Sequence, residues 1–110
     1  MNILITGASG FIGGHLVKDY SNYKDTKIVA LGRDFKHNNN PPNVMYVSVD
    51  LLDSVQLETA LEGIEVDIII HSAGQAHISN STSNQKLFID NNIKVTENVL
   101  AISKIKNVKK

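Results

Sequence analysis

Three glycines, Gly7, Gly10 and Gly13, stand between an apolar run and a helical pattern with the spacing G-x-x-G-x-x-G. These residue types in this order suit one chemistry above others, the holding of a dinucleotide pyrophosphate by main-chain amides. Gly7 lets the chain turn sharply off the preceding strand. Gly10 removes the β-carbon that would keep the backbone away from the phosphates, and Gly13 lets the following helix pack closely on the strand. The helix start offers unpaired N–H groups and the positive end of its dipole, with Phe11 and Ile12 supplying first-turn amides and Ser9 as the N-cap candidate.

A second group with chemical potential lies where the next apolar run ends, at Leu31-Gly32-Arg33-Asp34. An acidic residue there holds the ribose 2′-hydroxyl of NAD, whereas an NADP site leaves room for the 2′-phosphate and brings an Arg to it. Gly32 stands where the carboxylate is expected, and Arg33 is able to make a bidentate, charge-assisted contact with a phosphate. The residues therefore favour NADP over NAD. Asp34 serves the ribose instead if the register is two residues later, and a solvated surface role is the alternative for Arg33.

Four histidines, among them His71 and His77, lack the spacing or carboxylate company of a metal site, so no metal is expected. Cys is absent, which excludes disulfides and thiolate ligands.

Positioning these residues requires alternating strands and helices. Asn2 to Thr6 reads as a buried strand, followed by a helix with Ile12, Leu16 and Tyr20 at i, i+4 and i+8. Lys27 to Leu31 is the second strand. Arg33 to Asn43, with three consecutive asparagines and Pro41-Pro42, reads as an exposed connection. Val44 to Val49 is a third strand, and Asp53 with Gln56 forms a capping-box variant opening a short helix that Gly63 ends. Asp67 to His71 is a fourth strand, apolar on both faces as an interior parallel strand requires. The polar stretch Ser72 to Ser83 is long enough to be functional. A long helix from about Asn84 to Lys106 carries a stripe of Phe88, Val95, Val99 and Ile102, flanked by Ile89 and Leu100. Asn92 falls in that stripe and reads as a structural amide tying the helix to a neighbouring loop. The fold class is α/β, a doubly wound parallel sheet. Right-handed crossovers give the strand order 3-2-1-4, with the switch point between the first and fourth strands, so that Gly7 to Gly13 lie beside Ala73 and Gly74.

Thr6-Gly7-Ala8-Ser9-Gly10-Phe11-Ile12-Gly13 resembles the T-G-x-x-G-F-I-G signature of the extended short-chain dehydrogenase/reductases, also called the NAD-dependent epimerase/dehydratase family. His71-Ser72-Ala73-Gly74 is similar to that family's H-x-A-[AG], and Asn92-Ile93-Lys94-Val95-Thr96 to its N-V-x-G-T segment, with Val95 in place of the usual glycine. The resemblance implies a Rossmann fold binding NAD(P). Asp50-Leu51 resembles the family's D-[LIV] pair, which implies a carboxylate accepting from the adenine amino group and Leu51 covering the ring. A turn or cap carboxylate is the alternative for Asp50, though Asp53 already fills a capping role. Ala73 and Gly74 are expected to be small because the cofactor ribose passes over that strand end. His71 is read as a family-typical strand-end residue bonded to backbone. Tyr20-Ser21-Asn22-Tyr23-Lys24 mimics the family's catalytic Tyr-x-x-x-Lys, but Tyr20 lies about 15 Å along the helix from the pyrophosphate end. The family's own pair follows a fifth strand, whose approach Val108-Lys109-Lys110 resembles, so no catalytic residue is assigned in this chain.

With 110 residues, 42% of them hydrophobic, the chain reads as one dinucleotide-binding domain over residues 1–110, the front portion of such an enzyme. Eleven basic and eleven acidic residues balance to a net charge of zero, which gives no case for nucleic acid or an anionic membrane. A cytoplasmic location is the default. The resemblance implies the cofactor-binding portion of a nucleotide-sugar epimerase or dehydratase working by transient hydride transfer, with a homodimer formed through the helix around residues 84–106. A non-catalytic dinucleotide-binding or regulatory protein, complete at this length, is the rival reading.

Overall fold

The computed structural model describes residues 1–35, 41–73 and 82–110, without the side chains of 82–85. Asn38 to Asn40, Gly74 and His77 lie outside the described residues. Strands β1 (Asn2–Thr6), β2 (Lys27–Gly32), β3 (Val44–Ser48) and β4 (Ile68–His71) alternate with helices α1 (Phe11–Tyr20), α2 (Ser54–Ala60) and α3 (Thr82–Ile105), α1 after β1, α2 after β3 and α3 after β4. The strands form one parallel sheet in the order β3-β2-β1-β4, as the sequence predicts. Leu4 of β1 is level with Val29 of β2 on one side and with Ile69 of β4 on the other.

Period-two alternation in β1 decides how the sheet is covered. Leu4 joins Val29, Leu31, Leu57, Leu61, Val95 and Ile102 in a core under α2 and α3. Ile3 and Ile5 point the other way and join Ala8, Val17, Ile28 and Ala30 under α1. Leu4, Ile5, Ile28 and Leu31 are fully buried, and removal of each such side chain from water is worth about 1.5–3 kcal/mol.

Helix α1 keeps Leu16 and Tyr20 of the expected stripe against the core, but not Ile12. Ile12 is 66% exposed, while Gly13 and Val17 are the buried positions. The N-cap is Gly10, with extended backbone and no side-chain cap, so Ser9 does not take the capping role expected of it. Helix α2 behaves as predicted at its start, where the Asp53 carboxylate accepts from the Gln56 N–H. Gln56 in turn reaches back to accept from the Asp50 N–H at 2.7 Å. Beyond α2 the chain passes Gly63 at φ +76°, a left-handed turn that favours glycine.

In α3, Val95, Val99 and Ile102 are buried as expected, but the flanking Ile89 and Leu100 are more than half exposed. The buried amide is Asn98, whose Nδ2 donates to the Leu51 carbonyl at 2.7 Å. The described ends of the expected connection after β2 are also more engaged than its composition implies. Phe35 packs edge-on against Tyr46 with ring centroids 4.9 Å apart. The Asn43 amide donates to the Ser21 and Thr26 carbonyls at 3.1 and 2.9 Å. Strand β4 is half-buried along its length rather than fully interior. On its outer side the Ile69 N–H donates to the Lys110 carbonyl at 2.8 Å and the Lys109 N–H to the Asp67 carbonyl at 3.1 Å.

Candidate functional site

The glycine turn is built from three different steric demands. Gly7 has φ +67°, and a β-carbon there would stand 2.7 Å from the Ala73 nitrogen and 2.8 Å from the Ser72 carbonyl carbon. Gly13 faces the turn itself, since its β-carbon would strike the Gly7 carbonyl oxygen and lie 2.6 Å from the Gly7 carbonyl carbon. At Gly10 a β-carbon would touch only the Gly7 oxygen, at 3.3 Å, and otherwise enter open space. Gly13 and Gly7 therefore fix the shape of the turn, and Gly10 keeps its mouth clear. The Ala8 N–H donates to the Leu31 carbonyl at 2.9 Å, tying the turn to the end of β2. With Gly10 as a bare N-cap, the first-turn N–H groups of Phe11 and Ile12 have no side-chain acceptor among the described residues, as an anion site at a helix start requires.

This turn forms one wall of a cleft of about 260 Å³ at the carboxyl ends of the strands. Gly7, Ser9 and Gly10 line it from the turn, Gly32 and Arg33 from β2, and Leu51 and Leu52 from the connection after β3. Ala73 and Ser72 close it from β4, and Asn91, Asn92 and Val95 from α3. The cleft thus sits over β1 and β4, where the strand order reverses, the position at which open α/β sheets bind ligands.

Of the sequence candidates, Gly7, Ser9, Gly10, Arg33, Leu51 and Ala73 meet in this cleft. Gly13 is buried beneath the turn, and Ile12 points to solvent. Phe11 is 83% exposed and rests edge-on against His15, with ring centroids 4.7 Å apart. Asp50 is exposed and takes the turn role, its Oδ1 accepting from the Leu52 N–H at 3.0 Å. It is not among the lining residues, but the turn it holds presents Leu51 and Leu52 to the cleft. Asp34 lines a separate depression with Phe11, Lys18 and Phe35. Tyr20 ends α1, and Lys24 borders a different cavity with Asn2 and Lys27, so neither reaches the cleft.

Asn91 and Asn92 also line the cleft, a place that the sequence reading gives to neither, Asn92 being read there as a structural amide. Their signal is a spacing of four and three residues before Val95, which sets them one turn along the core-facing side of α3. With Arg33, Ser9 and Ser72 they are the polar residues among the described lining.

Beneath the cleft lies a polar hub. Thr6 Oγ1 accepts from the Ser72 N–H at 3.1 Å and the Ala73 N–H at 3.2 Å, and lies 2.6 Å from His71 Nδ1. Ser72 Oγ donates to the Thr6 carbonyl at 2.6 Å. His71 Nε2 lies 3.3 Å from Thr96 Oγ1, which itself donates to the Asn92 carbonyl at 3.0 Å. His71 is therefore bonded to side chains rather than to backbone, the partner expected from sequence. Burial holds its pKa below the ordinary histidine value.

Among the described residues no group of three or more His, Asp or Glu side chains is arranged to hold a metal ion. No helix among them is long and apolar enough to cross a membrane.

Comparison with known proteins gives a consistent result. Residues 3–110 match the family model described as NAD dependent epimerase/dehydratase family. A dTDP-D-glucose 4,6-dehydratase of Dictyostelium discoideum is 36% identical over 98% of this chain and 27% of its own length. A dTDP-glucose 4,6-dehydratase of Haemophilus influenzae is 29% identical over 94% of the chain and 33% of its own length. The solved UDP-glucose 4-epimerase of Thermus thermophilus, in complex with NAD, superposes with a TM-score of 0.82 at 29% identity, over 98% of this chain and 35% of that one. The chain thus spans about a third or less of the length of these curated relatives.

Proposed function

The chain belongs to the NAD dependent epimerase/dehydratase family, and from that premise we propose that it is the part of a nucleotide-sugar-modifying enzyme that holds a nicotinamide dinucleotide. The observation that carries the reading is the convergence of Gly7, Gly10, Arg33, Leu51 and Ala73 on one cleft at the β1/β4 switch point. The cleft fits such a ligand: its mouth at Gly10 is one that a side chain would fill, and the helix behind it begins with uncapped N–H groups. Gly7, Ser9, Gly10 and the first-turn amides of Phe11 and Ile12 would hold the pyrophosphate. Leu51 and Leu52 would cover the adenine, and Asp50, beside them, would receive its amino group. Ala73, with Gly74 after it, would give passage to the second ribose.

We also propose a preference for NADP over NAD. Gly32 brings no carboxylate to receive the ribose, and the Phe35 ring and Ser9 hydroxyl stand 2.8 Å from where its β-carbon would be, so a larger residue there would have to displace them. Arg33 lines the cleft while Asp34 borders the neighbouring depression, which supports the phosphate-binding reading over the acidic one.

When bound, a nicotinamide dinucleotide supplies reversible hydride transfer, here with a nucleotide sugar oxidised to a ketone and then reduced or dehydrated. This chain's contribution is to bind the cofactor and fix its orientation, which removes translational freedom before chemistry begins. The proposed partners are accordingly the dinucleotide and a nucleotide sugar, without nucleic acid or membrane, in the cytoplasm. A homodimer through α3 is supported by Ile89, Ile93 and Leu100, each more than half exposed and set along one side of the helix. Titration calorimetry with NADP⁺ and NAD⁺ tests the reading: saturable binding of at least one is expected, and binding of neither by the folded protein would reject it.

A further inference from the structure

The hub under the cleft carries an inference about regulation of this same site, and it rests on the dinucleotide reading above. Proton counting fixes its state. A threonine hydroxyl has one hydrogen to give and two lone pairs to receive. Both lone pairs of Thr6 Oγ1 are taken by the amides of Ser72 and Ala73. Its hydrogen must therefore go to His71 Nδ1, 2.6 Å away, which makes that nitrogen the unprotonated one. The ring proton is then on Nε2, directed at Thr96 Oγ1, whose own hydrogen is on the Asn92 carbonyl. One consistent donor-to-acceptor chain runs from the Ser72 and Ala73 amides through Thr6, His71 and Thr96 to the main chain of α3 at Asn92.

We propose that His71 is a positioning residue whose neutral, Nε2-protonated form locks the Ser72-Ala73 main chain against the glycine turn, so that dinucleotide affinity falls on mild acidification. Adding a proton at Nδ1 turns an acceptor into a donor aimed at an oxygen with no lone pair left. Either the Thr6–His71 contact or an amide bond to Ser72 or Ala73 must then break. The Ala73 nitrogen lies 2.7 Å from where a β-carbon on Gly7 would stand, so the main chain that these bonds hold is the wall of the cleft beside the turn. Strand β1 presents Thr6 to the ring, and α3 presents Thr96. Among the described residues, Lys94 and Glu97 of α3 and Asp67 of β4's approach form no ion pair or hydrogen bond with His71. Burial of the ring adds to its preference for the neutral form.

The test is calorimetric titration with NAD⁺, whose two phosphates stay ionised throughout, at pH values from 7.5 to 5.5. The wild-type dissociation constant is expected to rise about three- to tenfold over this range. In His71→Asn, whose amide oxygen can take the Nδ1 position without titrating, the profile is expected to be flat whatever the affinity at pH 7.5. A flat wild-type profile, or an unchanged slope in His71→Asn, would overturn the proposal. Nitrogen-15 NMR of the imidazole gives a readout independent of ligand: an unprotonated Nδ1 at pH 7.5 is expected, and a protonated Nδ1 would overturn the lock. Absence of NAD⁺ and NADP⁺ binding at pH 7.5 with the expected tautomer present would reject the dinucleotide reading and, with it, the regulatory role.

Discussion

The nitrogen of Ala73 lies 2.7 Å from the point where a β-carbon on Gly7 would stand. The ends of β1 and β4 are thereby pressed together at the switch point, closer than any side chain on Gly7 permits. Because Gly7 also has φ +67°, two independent constraints demand glycine at that position.

The glycines of the turn are expected to separate folding from binding. Gly13→Ala sets a methyl into the Gly7 main chain and should cost about 1–3 kcal/mol of stability, as overpacking does. Gly10→Val enters mostly open space, and should abolish binding of both dinucleotides with a native circular dichroism spectrum. Urea melts and calorimetry on the two variants check the contrast, which fails if Gly10→Val binds normally.

Arg33→Ala is expected to weaken NADP⁺ binding by about 1.5–3 kcal/mol, the worth of hydrogen bonds to a charged group, with little effect on NAD⁺. Equal NADP⁺ affinity in both proteins would reject the 2′-phosphate assignment. Tyr20→Phe, at the far end of α1, should leave both affinities where they were.

Asn98→Ala should destabilise the fold by about 1–3 kcal/mol, because the Leu51 carbonyl loses its buried donor. Chemical denaturation measures this directly. A loss within error of zero would mean that water replaces the amide without cost.

Stability should also depend on pH through His71. Its pKa in the folded chain is lowered below the ordinary 6.5, so the unfolded chain binds the proton more readily. The stabilisation is therefore complete above the unfolded value and is lost as pH falls through it toward the folded value. Urea midpoints at pH 7.5 and 5.5 should differ more for wild type than for His71→Asn.

Self-association is expected through the exposed Ile89, Ile93 and Leu100 of α3. Light scattering at rising concentration should show dimers or larger species, and Ile93→Lys should shift the population toward monomer. A wild-type monomer at high concentration counts against this face as an interface.

Most of the sheet was legible in the sequence because four apolar runs separated by helix-length segments admit few right-handed topologies. The glycine turn was equally legible, since each glycine meets a backbone demand that local spacing reveals. On α1, Leu16 and Tyr20 of the expected stripe pack on the core and Ile12 alone does not, because the closest approach is made by Gly13, which has no side chain to enter a hydrophobic stripe. Ile12, one residue earlier, is carried round to solvent. Asn98 was missed because its partner is a carbonyl 47 residues away, and only tertiary structure brings that acceptor to it. Asp50 offered two readings from sequence, and the turn bond to Leu52 could be recognised only once the chain was folded.

Phe35 seated on Tyr46 and Asn43 bonded to the carbonyls of the α1–β2 connection act as two mooring points on the fixed body of the domain. The short run from Gly32 to Phe35 is thereby held at both ends, by pairing of Gly32 with Ser48 and by the ring contact of Phe35, and Arg33 lies within it. The side chain that lines the cleft from β2 therefore takes its place from β3 as well as from its own strand.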